Sequence, residues 1–369
     1  MTPLKAVPQV FPRVFIDARM VGPIAHGIGR YVSLLVEGLR QVQKQGALAY
    51  EPVLITSGEF KFEGFECVPS SAPFLHPSEL IALPRLLKRQ GASLYHSPSF
   101  SSLVWCPCPW VVTVHDLCHL TYGSVAQKLY YSVLLKSFAR RARSLSTVSE
   151  FSKRELAHWT GVPAERIEVV YNAIDPSFLS FESRGLGTKY AFSARNYFFC
   201  LSNPKRHKNV PFLIESYREY RRRAGDSAWP LVLSTKGLAP GLQGEGVFEL
   251  SSLPNHEAKE LLAAAGALVF PSLYEGFGLP PLEAAVLGTP LVLSQIEPHH
   301  EAVVDLGPAE ALWMDPRSLE SCVDRLLRAW RGELKPPSIE SRENLAQRYS
   351  VEKLGNHMDR IYRQALGLQ

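Results

Sequence analysis

Glu275 and Glu283 stand eight residues apart in Pro271-Ser-Leu-Tyr-Glu-Gly-Phe-Gly-Leu-Pro-Pro-Leu-Glu-Ala-Ala285, directly after the apolar run Ala267 to Phe270. This order predicts a strand that ends, a Gly/Pro loop with free backbone amides, and a helix opened by Pro281, since proline suits the first helical turn. Glu283 is then expected in that turn, beside exposed N–H groups and the positive end of the helix dipole. Amides meet anionic oxygens and carboxylates accept from hydroxyls, so the segment suits a polyhydroxylated, phosphorylated ligand. The plainer reading is a capped helix after a turn, its two glutamates solvated.

Three other segments could share that chemistry. Ser202-Asn203-Pro-Lys205-Arg206-His-Lys208-Asn209 follows an apolar strand and precedes an amphipathic helix, and its lysines and arginine could clamp a pyrophosphate. A solvated basic loop is the alternative. His26-Gly27-Ile-Gly29-Arg-Tyr31 lies between the first strand and the first helix, where two glycines let backbone approach a phosphate closely. It is no full dinucleotide fingerprint, because the third glycine would fall at Val32 and no acidic residue ends the second strand. Val111-Val-Thr-Val-His115-Asp-Leu117 ends a strand with an imidazole able to donate to a sugar hydroxyl, or to steady positive charge through its carbonyl. A structural histidine is the plain alternative. No Asp-x-Asp occurs, so no metal bridging a diphosphate is expected, and cationic side chains and helix N-termini must do that work.

Together these segments resemble glycosyltransferase family 4. Glu275 and Glu283 with Gly276-Phe277-Gly278-Leu279-Pro between them look like its Glu-x7-Glu signature. The resemblance implies that Glu283 holds the ribose of a nucleotide-sugar, that Glu275 lies near the transferred sugar, and that the amides of Gly276 to Leu279 contact its hydroxyls. The Gly27–Gly29 loop, with His26 in place of the family's first glycine, would close over the donor phosphates and acceptor. Lys208 is matched to the diphosphate, with Asn203 near the usual arginine position and Lys205 or Arg206 supplying a second charge. Thr-Val-His115-Asp-Leu is similar to the acceptor-side motif. Segments around Tyr95-His96-Ser97-Pro98, which would line the cleft, Thr147-Val-Ser149 and Asn172-Ala173-Ile-Asp175 echo the family in order. The implied catalytic set is His115, Glu275 and Lys208.

Positioning these residues requires an α/β fold. Short apolar runs at 13–17, 52–56, 110–115, 144–149 and 167–171, then 197–201, 231–234, 247–250, 267–270 and 290–293, alternate with amphipathic stretches, the pattern of parallel sheets. Ile28, Val32, Leu35, Val36 and Leu39 share a helix face, and Ser152-Lys-Arg-Glu155 reads as a capping box. A polar stretch at 180–193 marks the domain break. The resemblance implies the GT-B fold, two Rossmann-like domains facing across a cleft: 1–185 on the acceptor side, 186–345 for the nucleotide-sugar, and a helix in 346–369 returning to the first domain.

Composition bounds the partners. A chain of 369 residues suits two domains, and its net charge of +5 is too small to suggest nucleic acid. Basic clusters at Arg85-Leu-Leu-Lys-Arg89, Arg140-Arg-Ala-Arg143 and Arg221-Arg-Arg223 read as solvated faces, or as attraction to an anionic membrane. Cysteines 67, 106, 108, 118, 200 and 322 show no disulfide framework, Cys106-Pro-Cys108 being the sole close pair. With no apolar run for a signal or a span, a cytoplasmic protein, soluble or peripheral at the inner membrane, is expected. The functional expectation is a metal-independent hexosyltransferase with no cofactor beyond its donor, and the resemblance implies that it retains configuration. Its wording resembles bacterial surface-polysaccharide enzymes, many of which move mannose from GDP-mannose to a glycan or lipid-linked acceptor. A nucleotide-sugar 2-epimerase and a non-catalytic binding subunit stay open.

Overall fold

The computed structural model describes residues 11–22, 27–58, 60–183, 185–186, 190, 192–234, 244, 246–251 and 253–368. Two units emerge, Met1–Ala173 with Val351–Gln369, and Ile174–Ser350. The chain enters the second unit before the polar 180–193 stretch, because the Ile174 N–H already donates to Tyr349 O at 2.8 Å. Residues 184, 187–189 and 191 of that stretch lie outside the described residues, as does His26.

The first unit has a parallel sheet of seven strands among the described residues: β1 (Arg13–Asp17), β2 (Glu51–Thr56), β3 (Glu66–Pro69), β4 (Leu94–Ser97), β5 (Trp110–Thr113), β6 (Ser144–Thr147) and β7 (Ile167–Val169). Their spatial order is β3-β2-β1-β4-β5-β6-β7. The order reverses between β1 and β4, where Val14 lies opposite Leu94, so the loops leaving these strands diverge and open a crevice beyond their carboxyl ends. Helices Gly27–Lys44 and Val351–Leu366 cover one face with Val32, Leu35, Met358 and Ile361. They cross where two glycines meet: a Cβ on Gly38 would lie 2.7 Å from the Gly355 Cα. Leu83 and Leu87 of helix Glu79–Arg89, with Tyr131, Leu135 and Phe138 further on, fill the other face.

The second unit repeats the plan with β8 (Phe198–Leu201), β9 (Leu231–Ser234), β10 (Val247–Glu249), β11 (Ala267–Phe270), β12 (Leu291–Ser294) and β13 (Ala311–Met314), all parallel, in the order β10-β9-β8-β11-β12-β13. Here the reversal falls between β8 and β11, with Ala267 opposite Phe198. Helices Val210–Ala224 and Leu319–Trp330 pack on one face.

Several sequence expectations need correction. β3, β4 and β13 were not expected as strands. β3 is a short edge with no apolar run, and β4 carries His96 and Ser97, polar yet fully buried. Rather than lining a cleft, His96 lies inside the sheet, its Nδ1 2.6 Å from Tyr362 Oη and its Nε2 2.9 Å from Thr113 Oγ1. Burial lowers its pKa to about 3, so it is a neutral tie between sheet and terminal helix. The helix assigned to a capping box at Ser152 begins at Glu150, because the Ser149 hydroxyl accepts from the Ser152 N–H and caps it instead. Among the described residues no helix is long and apolar enough to cross a membrane.

Candidate functional site

In the second unit the loops after β8 and β11 emerge side by side at the reversal of strand order. Asn209 takes a left-handed conformation (φ 56°), which asparagine tolerates better than most residues. Its Nδ2 donates to Pro271 O at 3.3 Å and Pro316 O at 2.8 Å, joining the loops that follow β8, β11 and β13. The Leu273 N–H donates to His207 O at 2.7 Å. So braced, Lys208 places Nζ 2.7 Å from Glu275 Oε1 and 5.1 Å from the centre of the Phe270 ring. Their side chains are 14% and 13% exposed, so the pair is mostly out of water. Burial pushes the Glu275 carboxyl up, but the Lys208 ammonium leads the neighbouring groups, His299 and Ser272 among them, that together outweigh it and hold the carboxyl below the usual range. Glu275 is therefore an anion at neutral pH, and Lys208 keeps further N–H donors for a second anion.

The following helix is Leu279–Val286, capped by Gly278. Pro281 does not open it, as the sequence reading had it: Leu279 does, with Pro280 second and Pro281 third. Glu283 is consequently the fifth helical residue rather than part of the first turn, and it is 2% exposed. Helical side chains lean toward the N-terminus, so its carboxylate still belongs to the helix-start region. Gly278 has φ 124°, a conformation strained for any L side chain, and a Cβ there would meet His299 Cδ2 at 3.2 Å. Phe277 is buried against Tyr349, ring centres 5.2 Å apart, so its side chain anchors the loop.

His299 belongs to this shell, and sequence reasoning missed it. It is fully buried beside Phe270 (5.5 Å) and Gly278, with Nδ1 donating to Ser294 O at 3.0 Å and Nε2 left without a hydrogen-bond partner. Burial lowers its pKa to about 4 despite the nearby Glu275 anion, so the ring is neutral and Nε2 is an acceptor. A histidine pair after an expected strand carried too little signal to mark it. Asn203, Lys205 and Arg206 are exposed, and Asn203 Oδ1 accepts from the Lys205 N–H at 3.2 Å. The structure thus joins Lys208 to Glu275 and leaves the other two cations of the loop at the surface.

In the first unit, Gly27 opens the helix after β1, so its amide and those of Ile28 and Gly29 lie in the first turn, which has no intrahelical acceptors. A Cβ on Gly29 would come within 2.8 Å of Met20 O, whereas Gly27 meets nothing within 4 Å. Gly29 is therefore needed for close packing of helix on loop. His115, two residues past β5, donates from Nε2 to Pro98 O at 2.9 Å and meets Tyr31 edge-on, ring centres 4.7 Å apart. Burial lowers its pKa, leaving a neutral imidazole with Nδ1 as acceptor, and its carbonyl accepts from Ser152 Oγ at 3.3 Å. Tyr31 thus links the glycine turn to His115. Asp116, Cys118 and His119 form a three-ligand group, but Asp116 Oδ1 already accepts from the Cys118 N–H (2.9 Å) and His119 Nδ1 meets Tyr131 Oη (2.9 Å). Cys106 and Cys108 keep their sulfurs 3.9 Å apart as free thiols.

Comparison with known proteins matches residues 25–178 to the model "Glycosyltransferase Family 4" and residues 189–349 to "Glycosyl transferases group 1". The O-antigen chain mannosyltransferase RfbU of Salmonella typhimurium is 28% identical over 254 residues, 66% of either chain. O-antigen chain mannosyltransferase B of Escherichia coli is also 28% identical, over 64% of this chain and 65% of its own. The chain thus spans slightly under two thirds of these relatives. Among solved structures, sucrose-phosphate synthase of Thermosynechococcus elongatus superimposes with a TM-score of 0.72 at 16% identity, covering 96% of this chain and 99% of that one. Anabaena HepE in complex with UDP and glucose gives 0.70 at 14% identity, covering 96% and 100%. These likenesses establish the fold.

Proposed function

We propose that this chain, a GT-B-fold glycosyltransferase resembling the family 4 and group 1 enzymes of bacteria, transfers mannose from GDP-mannose to a glycan or lipid-linked acceptor with retention of configuration. Several relatives bear mannosyltransferase names, among them the two O-antigen enzymes and a serotype-specific enzyme of Escherichia coli, which supports mannose and polysaccharide assembly. The observation that carries the reading is the Lys208–Glu275 pair at the reversal of strand order, followed by the buried Glu283. Open α/β sheets bind ligands at such points.

Lys208 stabilises the charge that develops on the leaving diphosphate, helped by Lys205 or Arg206. Preorganised donors of this kind are worth about 3–4 kcal/mol each. Glu283 accepts from the ribose hydroxyls. Glu275, with the amides of Gly276, Phe277, Gly278 and Leu279, orients the sugar, Asn203 borders the phosphates, and His115 serves the acceptor side. No metal enters this scheme, so chelation should leave turnover intact. With a lipid-linked acceptor, the work would be done at the cytoplasmic membrane face.

The test is thermal unfolding with saturating GDP, UDP, ADP, dTDP and NAD, for wild type and Glu283→Ala. A ligand at a hundred times its Kd adds roughly 2.7 kcal/mol, readily seen as a raised Tm. Stabilisation by GDP that is lost in Glu283→Ala is expected. A shift with another diphosphate reassigns the base; NAD alone, or no shift, overturns the site. Turnover of the donor with no acceptor present would favour the epimerase.

A further inference from the structure

The charge of this chain is concentrated in one stretch. Residues 80–149 hold eight Lys and Arg against a single acid, Asp116, leaving 32 cations against 34 carboxylates elsewhere. The modest net +5 therefore hides a +7 segment in an otherwise slightly acidic protein. The fold treats the basic clusters differently. Arg222 and Arg223 both meet Glu219 at 2.7 Å, and Arg223 forks onto Glu320, so these two cations of that cluster are neutralised. Lys88, Lys128, Arg140 and Arg143 are exposed and enter no ion pair among the described residues.

The same stretch exposes an apolar ridge. Residues 125–140 form one continuous helix, α over Val125–Tyr130, π over Tyr131–Leu135 and α again over Lys136–Arg140. Tyr131, Leu135 and Phe138 hold its inner side in the core. On its outer side Val125, Leu129 and Val133 are 84%, 63% and 55% exposed, at the four-residue spacing that aligns side chains along a helix. Lys128 and Arg140 flank them. Trp105 is half exposed nearby, its loop tied to the helix end by Arg141 Nη2 donating to Val104 O at 3.2 Å. An apolar ridge turned to water contributes nothing to folding, and with unpaired cations and a tryptophan beside it the surface has the makeup of an interfacial helix.

We infer that this face docks on an anionic lipid bilayer, with Leu129, Val133 and Trp105 entering the headgroup–acyl boundary and Lys128 and Arg140 meeting lipid phosphates. The inference deepens the reading of a lipid-linked acceptor, by naming the surface that brings the enzyme to it. Nucleic acid would meet the cations but has no use for the apolar ridge.

The test is flotation of the full chain with vesicles of phosphatidylcholine alone and of phosphatidylcholine with phosphatidylglycerol. Leu129→Ser with Val133→Ser removes the ridge, Lys128→Glu with Arg140→Glu the charge, and Arg331→Glu with Lys335→Glu is a charge-matched control on the other unit. Wild type is expected to float with the anionic vesicles only. Each of the first two double variants should lower partitioning at least about tenfold, with the control unchanged. Binding untouched by loss of the ridge, or weakened equally by the control, overturns the proposal, as does retention on single-stranded RNA without vesicle binding. The nucleotide-induced Tm shift, measured on every variant, reports folding and the donor site separately, so loss of docking and failure of the transferase reading cannot be confused.

Discussion

Lys208 and Glu275 were separate candidates in the sequence, yet in the fold each is the other's partner, and this changes what their loss should do. Lys208→Ala removes the cation proposed for the diphosphate and leaves Glu275 without its counter-charge. Transfer is expected to fall about 10²–10³-fold, the usual effect of deleting one preorganised donor. Glu275→Gln keeps the shape and frees Lys208, so GDP should bind as well or more tightly while kcat falls. Titration calorimetry with GDP beside steady-state kinetics checks both. Weaker GDP binding in Glu275→Gln would mean that the pair only braces the loop. His299 acts on the same shell through shape, filling the space against Gly278 that any Cβ there would need.

At the scale of elements, the terminal helix Val351–Leu366 is locked onto Gly27–Lys44 by backbone contact at Gly38 and Gly355. Alanine is favoured over glycine within a helix by about 1 kcal/mol. Here the added methyl meets main chain rather than a flexible side chain, so the helices must part. Gly38→Ala and Gly355→Ala should each destabilise by about 1–3 kcal/mol net, because overpacking outweighs propensity. Urea unfolding checks it, and an increase in stability would show that the crossing is looser than drawn. The helix also carries Tyr362, whose hydroxyl meets His96 inside the sheet, so parting it from its neighbour strains a buried polar chain.

For the whole molecule, the buried histidines set the acid limit. His96 is held near 3 and His299 near 4 by burial, both well below the ~6.5 of an unfolded chain. As pH falls the unfolded chain takes up protons first, so stability is complete above ~6.5 and declines from there toward the folded values. Between pH 6.5 and 5.5 the two together should remove roughly 2 kcal/mol. Unfolding midpoints across that range give the slope. A flat profile would mean that these rings titrate as freely as exposed ones. Glu275, depressed by Lys208, adds its own loss from the ordinary carboxylate range downward, because there too the unfolded chain takes up its proton first.

The sequence by itself determined the two parallel sheets, the place of Glu275 after β11, and the chemistry of the basic loop, because period, turn residues and charge are local properties. It did not show β4 or β13, whose short runs become strands only through their neighbours, and it misplaced the helix start at Pro281 by two residues. Only the tertiary structure decided that Lys208, 67 positions away, is the cation paired with Glu275 while Lys205 and Arg206 stay in solvent. The same holds for His96, a buried tie rather than a wall, and for the neutralised Arg223 against Arg140, which has no ion pair among the described residues. Pairing and burial depend on residues far apart in the chain meeting, and no local pattern carries that information.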